Sequence, residues 1–239
     1  MTRLRYEKKY LVPNVMLSKL RDRFAPFLEA DKYSDSQKAN PEYTVRSIYF
    51  DSYSSNSFFE KIEGLKDRKK MRIRGYGYPK GNTKIVLEIK RKLEDRVMKN
   101  RAFIPFHQLG DLLKTGNLDA CFGPTTTPKK EDASRFLYNI KRYNLRPQNL
   151  IVYDREAYHG KFDPGVRITF DKNIRYRAIP KLEQLFSDFG LTRAWIGYFI
   201  LEVKYFDGEM PSWAKSIIEE FELKHEALSK YAKSVEESL

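Results

Sequence analysis

An α+β fold is what this sequence predicts, with an eight-stranded antiparallel β-tunnel closed as a barrel and helices packed outside. Eight segments alternate between faces in the manner of strands, and three of them carry charge on every second residue. Amphipathic helical segments lie between and after them. The chain shows no repeat of 20–50 residues, so residues 1–239 read as a single domain.

Residues 3–12 alternate Arg3, Arg5, Glu7 and Lys9 against Leu4, Tyr6, Lys8 and Tyr10, which gives the first strand. Pro13 then introduces a helical pattern of Val15, Leu17, Leu20 and Phe24 that stops near Pro26. The polar stretch 31–41 is a loop. Thr44 to Ser52, rich in β-branched and aromatic residues, is the second strand, and 57–65 a short helix. Strands three and four are 70–76 and 84–92, joined by a turn at Pro79, Gly81 and Asn82. Val97 to Ile104 is the fifth strand, with Lys99 and Arg101 on one face. Helices follow at 106–115 and 132–144, separated by a loop over 122–130. Residues 149–158, 166–170 and 199–206 supply strands six to eight. Pro211 opens a helix with Trp213, Ile217, Ile218 and Phe221 at helical spacing, and a charged helix covers 226–237.

Lys and Arg number 45 against 32 Asp and Glu, a net charge of +13. Such an excess favours polyanionic partners: nucleic acid, an anionic membrane surface or phosphorylated small molecules. One cysteine, Cys121, excludes an internal disulfide and fits a reducing compartment. With three scattered histidines, a structural zinc site is excluded, and any metal is a hard cation on carboxylate and phosphate oxygens. No apolar run has signal-peptide or membrane-span character, so a soluble, cytoplasmic protein is expected.

The strand faces carry the functional reading. Arg72 and Arg74 share one face of 70–76, with Met71 and Ile73 on the other. Lys84, Glu88, Lys90 and Lys92 oppose Ile85, Leu87 and Ile89, and Glu202 and Lys204 oppose Leu201 and Val203. Taken singly, each charged face serves equally well as the solvated side of a half-buried sheet, and Glu202 as a partner for Lys204. Taken together, with helices 14–25, 132–144 and 212–223 covering the apolar faces, closure of eight strands would turn the charges inward. The inward set is Lys9, Arg72, Arg74, Lys90, Lys92, Lys99, Arg101, Arg155, Arg167 and Lys204, with Glu7, Glu88 and Glu202. Unpaired buried charges cost several kcal/mol each, so such an interior is wet or holds a polyanion.

The chain resembles the polyphosphate-polymerase domain of the vacuolar transporter chaperone (VTC) family, within the triphosphate tunnel metalloenzymes. The resemblance is carried by Arg5-Tyr-Glu-Lys-Lys-Tyr10, Arg46-Ser-Ile-Tyr-Phe-Asp51, Met71-Arg-Ile-Arg-Gly-Tyr76, Leu87-Glu-Ile-Lys-Arg-Lys92 and Tyr153-Asp-Arg-Glu-Ala-Tyr158. It continues through Val166-Arg-Ile-Thr-Phe-Asp171, Leu201-Glu-Val-Lys-Tyr205 and Ser229-Lys-Tyr231. The resemblance implies that Lys9, Arg72, Arg74, Lys90, Lys99 and Arg155 grip the triphosphate of a nucleotide or a polyphosphate chain. It makes Tyr153 and Ser229 nearby polar contacts and Lys230 a further phosphate ligand. It makes Glu202 the carboxylate that holds Mn2+ or Mg2+.

Two positions depart from the pattern. The superfamily's opening Glu-x-Glu-x-Lys has Arg5 at its first position here, which fits the polymerase branch better than the hydrolase branch. Ala227 stands where the family often has a lysine. The expected activity is transfer of the terminal phosphate of ATP to a growing inorganic polyphosphate chain. The rivals are hydrolysis of triphosphate or a nucleoside triphosphate, and a non-catalytic module that binds polyphosphate, inositol phosphate or RNA. Glu88 and Glu202 among the cations argue against nucleic acid, whose backbone they would repel. The resemblance also implies a membrane-protein partner, since members of that family often work beside one.

Overall fold

The structure is a computed structural model that describes residues 5–31, 42–93, 96–206 and 208–238. Its strands are β1 (Arg5–Pro13), β2 (Leu28–Ala30), β3 (Glu42–Asp51), β4 (Asp67–Tyr76), β5 (Lys84–Leu93), β6 (Arg96–Pro105), β7 (Arg146–Gly160), β8 (Arg167–Ala178), β9 (Thr192–Arg193) and β10 (Tyr198–Phe206). Its α-helices are α1 (Leu17–Phe24), α2 (Asn56–Ile62), α3 (Leu109–Thr115), α4 (Asp119–Phe122), α5 (Pro128–Arg142), α6 (Ser212–Glu220) and α7 (Lys230–Glu236). Apart from Asp31, the loop expected over 31–41 lies outside the described residues.

The expected closed barrel of eight strands is not what forms. Ten strands make one sheet in the order β1-β10-β8-β7-β3-β4-β5-β6, with β2 on β7 and β9 on β8. The path is open: its end strands β1 and β6 do not pair with each other. The edges show why. On β6, the backbone N–H of Arg101 donates to Asp132 Oδ2 of α5 at 3.0 Å, and the Asn100 amide donates to Asp132 Oδ1 at 2.8 Å. On β1, the Glu226 N–H donates to the Lys9 carbonyl at 2.9 Å, and Tyr10 bridges His225. Both edges thus meet other partners, a common way of blocking further strand pairing.

Each of two compact units has its own core. The first gathers 1–44, 153–174 and 193–229; the second 45–152, 175–192 and 230–239. In the first, Tyr10, Val12, Ile168, Phe170, Leu201 and Val203 point to one side of the strands and pack with Leu20 and Phe24 of α1 and Ile217 and Ile218 of α6. Trp213 stacks on Phe27 with ring centroids 4.8 Å apart, and its indole N–H donates to Asp163 Oδ2 at 2.8 Å. In the second, Ile48, Met71, Ile73, Leu87, Ile89, Ala102 and Ile104 pack with Leu109 and Leu112 of α3 and Ala133, Phe136 and Leu137 of α5. Each such aliphatic side chain contributes roughly 1.5–3 kcal/mol when fully buried. Gly75 is required here, because a Cβ would stand 2.5 Å from the Phe186 ring that closes this core.

Several elements run differently from expectation. The strand expected to stop at Phe170 continues to Ala178, past a polar Asp171-Lys172-Asn173 run. Asn173 adopts φ +48 there, and Ile174 and Tyr176 beyond it are buried. The fifth helix begins at Pro128 inside the expected 122–130 loop, where the Thr127 hydroxyl accepts from the Lys130 N–H at 3.2 Å. The helix expected over 226–237 is only Lys230–Glu236. The three-residue β2 and two-residue β9 are too short to leave a periodic signal.

Candidate functional site

The polar faces of both units lie opposite their cores, as strand alternation requires. In the first unit the register places Glu7 opposite Lys204 and Lys204 opposite Arg167. One pair along, Lys9 faces Glu202 and Glu202 faces Thr169. Lys9 Nζ lies 3.1 Å from Glu7 Oε1 and 4.0 Å from Glu202 Oε1, and it donates to the Leu228 carbonyl at 3.2 Å. Lys204 contacts Glu202 directly and lies 3.8 Å from Glu7 Oε2. Its ammonium is lowered from the usual lysine range by burial, which Glu202 and Glu7 only partly offset.

Arg155 is the centre of this cluster. Its Nε and Nη2 donate to the two oxygens of Asp171 at 2.6 and 2.7 Å, and Nη2 reaches Glu202 Oε2 at 3.5 Å. Its guanidinium also sits over the Tyr153 ring, 5.2 Å from the centroid. Burial works against its charge, yet Asp171, Tyr153 and Glu202 hold it well above the usual arginine value. Asp171 and Thr169 are fully buried, and the Thr169 hydroxyl has no hydrogen-bond partner among the described residues. Arg167 turns to Asp31 Oδ2 at 2.8 Å and the Tyr43 hydroxyl at 3.4 Å.

In the second unit one register row runs Tyr49, Arg72, Glu88, Arg101 across four strands. Glu88, 1% exposed, contacts Arg72 and accepts from Arg101 Nε at 2.8 Å. Burial would raise its carboxyl, but Arg72, Arg74 and Arg101 hold it down at about 2. Arg72 Nη1 donates to the Tyr49 hydroxyl at 2.7 Å, and Arg74 Nε to Ser47 Oγ at 3.0 Å. The Tyr49 phenol, opposed by burial but drawn by Arg72, Arg74 and Lys70, is lowered to about 8. Its ring stacks on Tyr231 of α7, with centroids 5.1 Å apart. Burial and then Asp51, to which it donates, raise the Tyr231 phenol. The next row aligns Lys70, Lys90 and Lys99, and the one beyond aligns Arg68 with Lys92.

The sequence-derived set therefore divides in two. Lys9, Tyr153, Arg155, Arg167, Glu202, Lys204 and Ser229 belong to the first unit; Arg72, Arg74, Lys90, Lys92, Lys99, Arg101 and Lys230 belong to the second. Lys99 and Arg101 are exposed, since β6 is an edge of an open sheet rather than one wall of a closed one. Ser229 lies just ahead of α7, and Lys230 opens it. The expected wet interior gives way to paired charges: buried Arg155 has Asp171, and Glu88 anchors Arg72 and Arg101. Tyr49, Ser47, Thr169 and Asp171 share these faces but were not singled out in the sequence. Their parity in Arg46-Ser-Ile-Tyr-Phe-Asp51 and Val166-Arg-Ile-Thr-Phe-Asp171 was the available signal.

Among the described residues no group of three or more His, Cys, Asp or Glu stands where it could hold a metal ion by itself. Glu202 and Glu7 offer oxygens on one small region, each in reach of Lys204 and Lys9. One or two carboxylates supplemented by phosphate and water is the donor set that Mg2+ ordinarily takes, so these residues fit a divalent cation that arrives with phosphate. Among the described residues no helix is long and apolar enough to cross a membrane.

No curated protein matches the chain. Among solved structures it is similar to the PH1819 protein from Pyrococcus horikoshii OT3, at 14% identity and a TM-score of 0.47, over 98% of this chain and 100% of that one. The VTC domain model matches residues 4–239. That match supports a polyphosphate-related function and an enzyme of phosphotransferase or phosphatase type. By this match over nearly its whole length, the chain belongs to the VTC domain family.

Proposed function

We propose that the chain, acting as a single VTC domain, is a polyphosphate polymerase that transfers the terminal phosphate of ATP to inorganic polyphosphate. The observation that carries this reading is the row Tyr49, Arg72, Glu88, Arg101, flanked by Arg74 and by Lys70, Lys90 and Lys99. A buried glutamate fixes the two arginines while the cations around it exceed its charge, which suits a chain of repeating negative charge.

Phosphoryl transfer asks for positioning and charge neutralisation more than covalent chemistry. Arg72, Arg74 and Arg101 present planar forks to phosphate oxygens, and Lys90, Lys92 and Lys99 present mobile point charges. In the first unit Lys9, Arg155, Arg167 and Lys204 supply cations and Tyr153 and Ser229 further phosphate contacts, and in the second Lys230 supplies another. Glu202, with Glu7 close by, would hold Mn2+ or Mg2+, which supplies further neutralisation of charge on phosphate oxygens when bound. In the reaction, an oxygen of the polyphosphate terminus forms a bond to the γ-phosphorus, the bond from that phosphorus to the β–γ bridging oxygen breaks, and ADP leaves. The acceptor oxygen is already ionised, so no general base is needed.

We place the enzyme in the cytoplasm, with a membrane protein as a candidate receiver of the product. The deciding experiment incubates the chain with ATP and Mn2+ and separates long polyphosphate from orthophosphate. Long chains together with ADP are expected. Orthophosphate alone would replace the polymerase with a triphosphatase, and neither product would leave a polyphosphate-binding module.

A further inference from the structure

The second unit's polar face changes character at one end. Val45, Tyr76, Val86 and Phe103 each stand two residues along from Ser47, Arg74, Glu88 and Arg101, so they share that side of β3, β4, β5 and β6. The register joins them, with Val45 paired to Tyr76 and Val86 to Phe103. Val86 also stands opposite Arg74, which in turn pairs with Ser47. None of the four belongs to the core on the other side of the sheet.

The two valines are buried, while Tyr76 and Phe103 remain 46% and 50% exposed. Lys129 adds a cation here, its Nζ 5.9 Å from the Phe103 ring centroid. One exposed ring on a strand needs no explanation. Two of them with buried valines, next to Arg74 and Arg101, give the cationic face an aromatic end. Along β6 the order is ring, arginine, lysine: Phe103, Arg101, Lys99. Two residues of strand rise ~7 Å, so Lys99 stands roughly 14 Å along from Phe103. β4 repeats the order with Tyr76, Arg74, Arg72 and Lys70.

We propose, resting on the reading of the cationic rows as the phosphate site, that this end is a stacking platform for the base of a nucleoside triphosphate. Phe103 is its centre. A nucleoside triphosphate carries the same gradient as the face, a flat uncharged ring at one end and dense negative charge at the other. The gradient fixes which way the nucleotide points, with its base toward Tyr76 and Phe103 and its γ-phosphate toward the row Lys70, Lys90, Lys99. Every base has a π-face, so the platform favours a nucleotide over a bare phosphate chain without choosing among bases.

Calorimetric titration of ATP, GTP and inorganic triphosphate, each into the whole chain, tests the platform in wild type, F103L and F103W. F103L keeps an apolar side chain and loses the flat ring, and F103W keeps the ring. ATP and GTP should each bind F103L about tenfold more weakly than wild type, and F103W at least as tightly as wild type. Inorganic triphosphate should bind all three proteins alike. The platform is overturned if F103L binds ATP as wild type does, if it weakens ATP and triphosphate by the same factor, or if F103W weakens ATP as F103L does. Triphosphate binding with no Phe103 effect on ATP removes the platform alone. Wild type that binds neither ATP nor triphosphate removes the phosphate site and the platform with it.

Discussion

The two polar faces are charged on different plans. In the first unit, Arg5, Lys9, Arg155, Arg167 and Lys204 stand with Glu7, Asp31, Asp171 and Glu202, five cations against four carboxylates. In the second, Arg68, Lys70, Arg72, Arg74, Lys90, Lys92, Lys99 and Arg101 stand with Glu88 and Asp51, eight cations against two acids. A nearly balanced face keeps its charges buried at low cost. An excess of cations makes the local field attractive to polyanions. One strand pattern, charge on alternate residues, thus yields two charge balances, and the number of carboxylates sets the difference.

The comparison can be broken first at its most buried pair. Asp171→Asn leaves Arg155, 8% exposed, with Glu202 at 3.5 Å as its remaining anionic contact, and should cost about 3–5 kcal/mol in denaturant unfolding. A loss under about 1 kcal/mol would mean that Arg155 is not held as described.

Glu88→Gln comes next. A carboxyl held at about 2 against an ordinary 4.5 contributes stability that is complete above the ordinary value and lost as pH falls toward 2. The shift corresponds to about 3 kcal/mol, so wild type should lose roughly that much between pH 5 and 2 while E88Q shows a flatter acid limb. If both proteins lose stability in parallel, Glu88 is not the anchor of Arg72 and Arg101.

A smaller effect is expected from Tyr49→Phe, which removes a hydrogen bond to a charged group and should cost about 1.5 kcal/mol. The phenol's folded value of about 8 lies below the unfolded value near 10, so wild type gains stability as pH rises from 8 to 10. Y49F should lack that gain, and the tyrosinate absorbance change near pH 8 should vanish with it. The smallest effect belongs to Arg23→Ala, whose partner Glu220 is also exposed; its melting curve should overlay wild type.

Much of this was legible in the sequence. Met71, Ile73, Leu87, Ile89, Leu201 and Val203 alternate cleanly with charge, and they face the cores as that alternation requires. Trp213 was readable as a packing residue from its helical spacing with Ile217, Ile218 and Phe221. What escaped depended on partners distant in the chain. Closure of the barrel was inferred from strand count, but Asp132 of α5 bonds the β6 backbone and the His225–Glu226 segment bonds that of β1. Asp171 fell just past the strand expected to stop at Phe170; nothing local announces that it clamps Arg155. Tyr49 was hidden as one tyrosine among sixteen, and only the register beside Arg72 distinguishes it.

The most direct test of the proposed phosphoryl transfer is turnover of ATP with Mn2+ by folded Glu202→Gln and Arg72→Gln. Both variants should lose about a hundredfold or more of the wild-type rate of polyphosphate formation, the scale seen when one preorganised charge contact is removed. Wild-type turnover in folded E202Q, or in folded R72Q, would contradict the account.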